Sequence, residues 1–186
     1  MSTGVIAPAV YTFGPSNAHL TVRTGRTGPA ARAGHNLLIE PRNWQATFEV
    51  SAAEGRSSIA LTVDTGSLHV LEGTGGIQEL GDEDKDSIVQ TINDEILKRT
   101  VVEFRSTRVE LGPDGLSAEG ELELMGQRHP LAFTLSLDGA GRLTGRTTFR
   151  QSDWGLKPFS TLFGTLKVAD EVEIAVDADL GKERHD

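Results

Sequence analysis

Residues Arg150–Leu180 read RQSDWGLKPFSTLFGTLKVADEVEIAVDADL. The last part of this stretch decides the fold. Val172, Ile174, Val176, Ala178 and Leu180 alternate strictly with Glu173, Ala175, Asp177 and Asp179. A period of two predicts a strand with one apolar face. Before it comes a compact turn, Ser152-Asp153-Trp154-Gly155-Leu156. A connection carrying Phe159, Leu162 and Phe163 joins the two. Three large apolar residues and little charge set that connection apart from a plain solvated loop.

The same alternation continues upstream. Leu143, Gly145, Thr147 and Phe149 precede the turn, and Asp138-Gly139-Ala140-Gly141 turns the chain before them. Leu131, Phe133, Leu135 and Leu137 form another apolar face, and Gly126 to Pro130 marks the next turn. Leu116, Ala118, Gly120, Leu122 and Leu124 alternate with Ser117, Glu119, Glu121 and Glu123. Gly112-Pro113-Asp114-Gly115 is a hairpin signal. Thr100 to Leu111 carries Val102, Phe104 and Val109.

One segment breaks the pattern. In Asp82 to Lys98, Ile88, Ile92 and Ile96 recur every four residues, joined by Val89 and Leu97. This predicts an amphipathic helix. Asp82, Glu83, Asp84 and Asp86 suit its N-terminus, and Lys98 and Arg99 suit its end. Gly73 to Gly81 is a glycine-interrupted linker into it. Towards the N-terminus the β signals return in Val10 to Phe13, His19 to Thr24, His35 to Glu40, Trp44 to Val50, and Ile59 to Val63. The last of these extends towards Val70. Gly25 to Gly34 has no period and is expected to be a loop or irregular edge.

The 186 residues suit one domain, with tails at 1–9 and 181–186 around a body at 10–180. The net charge of −9 lacks the basic footprint of a nucleic-acid binder and disfavours an anionic membrane surface. The chain has no cysteine, so it has no disulfide and no thiolate site. The N-terminal MSTGVIAPAV has neither the basic nor the apolar region of a secretory signal, and no apolar run is long enough to span a membrane. A soluble, cytoplasmic chain without stable membrane insertion is therefore expected.

About eight short antiparallel strands must hide eight apolar faces, and a single helix cannot cover them all. Closing the sheet on itself hides the faces and removes the edges. The expected fold is mainly β: an antiparallel, lipocalin-like barrel of about eight strands with one α-helix inserted mid-chain. A two-sheet sandwich is the structural alternative.

Five segments, in order, resemble one family. They are Tyr11-Thr12-Phe13-Gly14-Pro15-Ser16 with His19 and Val22-Arg23, then Val102 to Thr107, then Gly120 to Gly126 followed by Pro130-Leu131. The last two are Ser152-Asp153-Trp154-Gly155-Leu156 and Ala169 to Ile174. The chain is similar over Val10 to Leu180 to the YceI-like family, a lipocalin-like group of polyisoprenoid-binding barrels. It departs from the family's second strand at Gly25–Asn36, GRTGPAARAGHN. The resemblance implies a tunnel for an apolar small molecule, an isoprenoid or other lipid, and a homodimer.

The candidate ligand-binding residues are the inward faces: Trp44, Phe48, Ile59, Leu61, Phe104, Leu122, Phe133, Leu135 and Phe149. Trp154, Phe159, Leu162 and Phe163 are expected near one end, as a portal; a plug is the opposite role for the same residues. Each buried CH₂ contributes about 0.8 kcal/mol, so a tail of about ten carbons gains roughly 8 kcal/mol before ordering costs. Such binding needs no catalytic residue, cofactor or metal. Periodicity alone leaves the other possibility open, in which these residues fill a solid core and the domain is an interaction module.

Enzymatic signals are weak. His19, His35, His69 and His129 fit no metal-ligand spacing, and Ser152 lacks a nucleophile-elbow context. His129 is expected to be solvated in its turn. His35, in the divergent segment, is expected to be structural. Asp153 is expected to accept backbone N–H groups of its turn. The acidic run 82–86 lacks the spacing of a calcium loop and suits a helix start.

Overall fold

The computed structural model describes residues 6–161, 166–182 and 184–185. Leu162 and Phe163, two of the expected portal residues, lie outside the described residues. Six strands precede the helix: β1 (Ala9–Phe13), β2 (Ala18–Thr27), β3 (Asn36–Pro41), β4 (Trp44–Val50), β5 (Ser58–Asp64) and β6 (Leu68–Thr74). After α1 (Asp82–Thr91) come β7 (Val101–Gly112), β8 (Gly115–Leu124), β9 (Gln127–Leu137) and β10 (Arg142–Arg150). Then follow β11 (Ser160–Thr161), β12 (Leu166–Asp179) and β13 (Arg184–His185).

All are antiparallel and belong to one curled sheet in the order β13-β1-β4-β5-β7-β8-β9-β10-β12-β2-β3-β6, with β11 on β12. The described residues thus hold eleven strands of five or more residues and two of two residues, not about eight. Part of the excess comes from Asp64 to Ser67. There the Asp64 carboxylate accepts the Gly66 N–H at 2.8 Å and the chain makes a 3-10 turn. One apparently continuous β run is thereby split into β5, which pairs with β4 and β7, and β6, which pairs with β3. Periodicity survives such a turn and so cannot reveal it.

Hydrogen bonding does not close the sheet. Its path ends at β13 on one side and β6 on the other. Closure as a means of removing every edge was the expectation; the structure instead covers the β6 edge with α1, whose Lys85 Nζ reaches the Leu71 carbonyl at 3.5 Å. The segments expected as tails also take part. Ile6 is buried in the core, the Tyr11 hydroxyl donates to the Ala7 carbonyl at 2.8 Å, and β13 pairs with β1.

The expected loop at Gly25 to Gly34 is partly regular. β2 runs to Thr27 opposite a bulge in β12 between Val168 and Val172, and Ala31–Ala33 is a 3-10 turn. The helix is shorter than the expected 82–98. It is α-helical through Thr91 and then widens to a π-helical turn over Ile92–Ile96. Lys98 and Arg99 leave it with φ of 50° and 55°. Asp84 Oδ2 accepts the Gly81 N–H at 2.9 Å, as a carboxylate at a helix start should.

One end of the curled sheet is closely packed. Leu143 is 2% exposed and Ala118 1%, and they cluster with Leu116, Val109, Val50 and Leu180. Tyr11 and Phe48 stack across β1 and β4 with ring centroids 6.0 Å apart. Outside, exposed ion pairs bridge strands, among them Arg128 with Glu123 at 2.8 Å and Arg142 with Asp177. Such surface pairs add little stability. Between β9 and β10 the ladder holds only two register pairs, Leu143 with Leu137 and Thr144 with Ser136. Beyond them β10 pairs with β12 alone.

A candidate apolar ligand cavity

Towards α1 the inner faces of the strands stand apart and enclose a cavity of about 530 Å³. That size is within the range of small-molecule sites. Alternation puts the apolar side chains on its wall. Trp44 and Phe48 come from β4, Ile59 and Leu61 from β5, and Phe104 from β7. Leu122 comes from β8, Phe133 and Leu135 from β9, and Phe149 from β10. Phe159 borders it as well, from the connection ahead of β11. Ten of the thirteen expected ligand-binding residues therefore meet at one cavity, and two lie outside the described residues.

Trp154 is the exception. It is 3% exposed, but it lies behind the cavity wall. Its indole N–H donates to the Leu122 carbonyl at 2.8 Å, and Phe149 and His129 meet its ring edge-on at 5.1 and 5.4 Å. A buried indole with its one donor paired is a fixed wedge. His129 is accordingly part of β9 and stacked on a ring, not free in a turn. The turn expected from Gly126 to Pro130 is confined to Met125 and Gly126, and Pro130 lies within β9.

The turn before the wedge is held differently from expectation. Asp170, not Asp153, supplies the carboxylate, accepting the Ser152 N–H at 2.8 Å and the Ser152 hydroxyl at 2.5 Å. These bonds, with the hydroxyl bond the larger cause, hold the Asp170 carboxyl below the usual carboxylate range. No local sequence signal points to this, because Asp170 is 18 residues away in the bulged part of β12.

The helix was expected only as an insertion into a closed barrel; in the structure it borders the cavity. Ser87, Ile88, Thr91, Ile92, Ile96 and Leu97 border the space, yet no residue of α1 itself is fully buried. Its apolar face therefore looks across a void and not into packed side chains. Asn93, in the π turn, is buried with its Oδ1 unpartnered. The linker before α1 is gripped by the divergent segment. His35 Nε2 donates to the Gln78 carbonyl at 2.5 Å, and the Arg26 guanidinium packs against Gly75. Gly75 and Gly76 both have φ of 77°, and a Cβ on Gly76 would lie 2.4 Å from the His35 ring. Only glycine meets both demands there. His35 is thus a clamp on the linker into α1.

The chemistry of the wall is uniform. Its polar groups are mostly spent on backbone carbonyls: Thr65 on Thr100 at 2.5 Å, Thr147 on Ala132 at 3.1 Å, and Gln151 on Ala169 at 3.1 Å. No His, Asp or Glu of the described residues borders the space, and Arg146 is the one charged residue that does. Among the described residues, no three His, Asp or Glu side chains come together as metal ligands. No described helix is long and apolar enough to cross a membrane.

A strand order of this kind, curled around an apolar hollow and capped by a single helix, agrees with the order of the five resembling segments. A sequence profile of the YceI-like domain matches residues 11–180. The chain belongs to the YceI-like family. No curated protein matches the sequence. Among solved structures, BcnA of Burkholderia cenocepacia is similar with a TM-score of 0.59 at 14% identity, over 86% of this chain and 94% of BcnA. The YCEI protein of Campylobacter jejuni is similar with a TM-score of 0.54 at 12% identity, over 75% of this chain and 81% of its own. At such identity the likeness is one of fold. Membership in the YceI-like family supports a binding role for the apolar hollow.

Proposed function

We propose that the protein is a non-catalytic carrier or store for one elongated apolar molecule, an isoprenoid or other single-chain lipid. The observation that carries this reading is the cavity: about 530 Å³ of space with almost wholly apolar walls, under a helix that turns its isoleucines inward. An empty apolar hollow of this size forfeits dispersion contacts along its whole lining, and an apolar tail restores them. With no His, Asp or Glu among the described residues of its wall, the site is suited to hold a molecule and not to transform it. The homodimer implied by the family is checked by light scattering.

The test is uptake. Protein purified under native conditions is extracted with organic solvent for mass spectrometry, then titrated with cis-parinaric acid and with geranylgeraniol. Bound lipid in the extract, or saturable uptake at one molecule per chain, is expected. An empty extract combined with no uptake of either probe would overturn the reading.

A further inference from the structure

The wall of the cavity has one irregular place. On β2 the bordering residues are Leu20, Val22 and Thr24; on β5 they are Ile59, Leu61 and Val63. Every other described strand that contributes more than one residue keeps this even spacing, as alternation demands. β10 alone does not. Gly145, Arg146 and Thr147 are consecutive, and all three border the cavity. Adjacent residues of a strand point to opposite faces, so three in a row reach one space only where the strand's own edge is uncovered. That is where the β9–β10 ladder stops, after Thr144 with Ser136. A Cβ on Gly145 would lie 2.5 Å from the Thr134 carbonyl oxygen, so the two strands still touch one residue beyond their last register pair. Farther along, the seam is crossed by the Thr147–Ala132 hydrogen bond, and the Trp154 wedge closes its far end.

Arg146 stands on this seam with its side chain 71% exposed. Its one ion-pair contact among the described residues is Glu173 at 3.9 Å, beyond hydrogen-bonding distance, and Glu173 is shared with Arg23 at 3.7 Å. Glu173 lies on β12, the flank of β10 away from the seam. On the seam's other flank the exposed β9 positions from Pro130 to Ser136 are Pro130, Ala132, Thr134 and Ser136, all uncharged, and the exposed Arg128 farther along is paired with Glu123. Arg146 therefore borders the seam as the one charged residue of an almost wholly apolar wall, and its guanidinium, 3.9 Å from Glu173, makes no hydrogen bond among the described residues. Guanidinium donors pair most strongly with carboxylate and phosphate oxygens.

We infer that the cargo is a single-chain amphiphile with an anionic head, its tail in the cavity and its head at the β9–β10 seam beside Arg146. This rests on the carrier reading above and adds the head's chemistry and place. The experiment titrates the protein with three probes of equal tail length: palmitic acid, hexadecyl phosphate and hexadecanol. Displacement of cis-parinaric acid reports binding. One or both anionic probes are expected to bind about tenfold or more tighter than hexadecanol, and which of them does so separates a carboxylate from a phosphate source. Arg146→Gln is expected to remove that preference. Arg150→Gln, an equal loss of charge on the same strand but away from the cavity, is expected to keep it. Equal affinity for all three probes, or a preference that survives Arg146→Gln, overturns the head assignment while the carrier reading stands. Failure of every probe, hexadecanol included, overturns the carrier reading and the assignment with it. A Thr147→Val variant checks the seam independently: it removes the bond across it at constant size, and faster probe entry is expected. An unchanged entry rate there counts against the seam as the head's position.

Discussion

The two ends of the curled sheet are made from the same alternation but are filled to different degrees. Around Leu143 the inward residues cluster and are nearly inaccessible, although Leu143 and Leu116 also border the hollow. Beneath α1, inward residues such as Ile59, Leu61, Phe133 and Ile174 pack against the core on one side but are only partly buried, because the cavity lies on the other. Alternation decides which way a side chain points. Whether anything meets it depends on how far away the opposite wall is, and that is a property of the sheet's curl.

Several substitutions sharpen the contrast. Leu143→Ala should cost about 3 kcal/mol, since it opens a hole in packed side chains. Ile174→Ala already faces space and should cost under about half as much. Denaturant unfolding of both variants measures this, and equal losses would remove the distinction between the ends. Trp154→Phe leaves the Leu122 carbonyl without its indole partner and should cost about 1–3 kcal/mol; if Trp154 were a mobile gate and not a wedge, stability would hardly change while probe entry rates would. Ile174→Phe should narrow the hollow, leaving the melting temperature within a few degrees of the parent while weakening cis-parinaric acid uptake. A large fall in melting temperature would mean that the space is not free to be filled.

The smallest effect concerns pH. The folded-state pKa of Asp170 is depressed, so its contacts with Ser152 stabilise the fold above the unfolded carboxyl's value of about 3.9 and are lost as pH falls through the lower folded value. The side chain is exposed, so the change is slight. Asp170→Asn should flatten this acid limb in melting curves taken between neutral pH and pH 3, with no change in slope above pH 5.

Much of the candidate site was legible. Ten wall residues follow from counting by twos, and the helix from counting by fours, since both periods record which face escapes water. Two other features had signals that alternation hides. Pro130 cannot donate to a ladder, and a proline within a strand marks an edge without a partner. Gly145 interrupts an apolar face where strands come close. Together they mark the β9–β10 seam, but each alone reads as an ordinary turn or gap.

The order of residues by itself determined the antiparallel strands, the single helix, their inward faces and the family, because these depend on local period and turn chemistry. Tertiary structure alone decided that Asp64–Ser67 parts two strands, that Asp170 and not Asp153 holds the Trp154 turn, and that the sheet curls without closing. It also decided that the space under α1 stays open and that Arg146 stands at its only charged border among the described residues. Those outcomes depend on distances between segments far apart in the chain, which no local pattern contains.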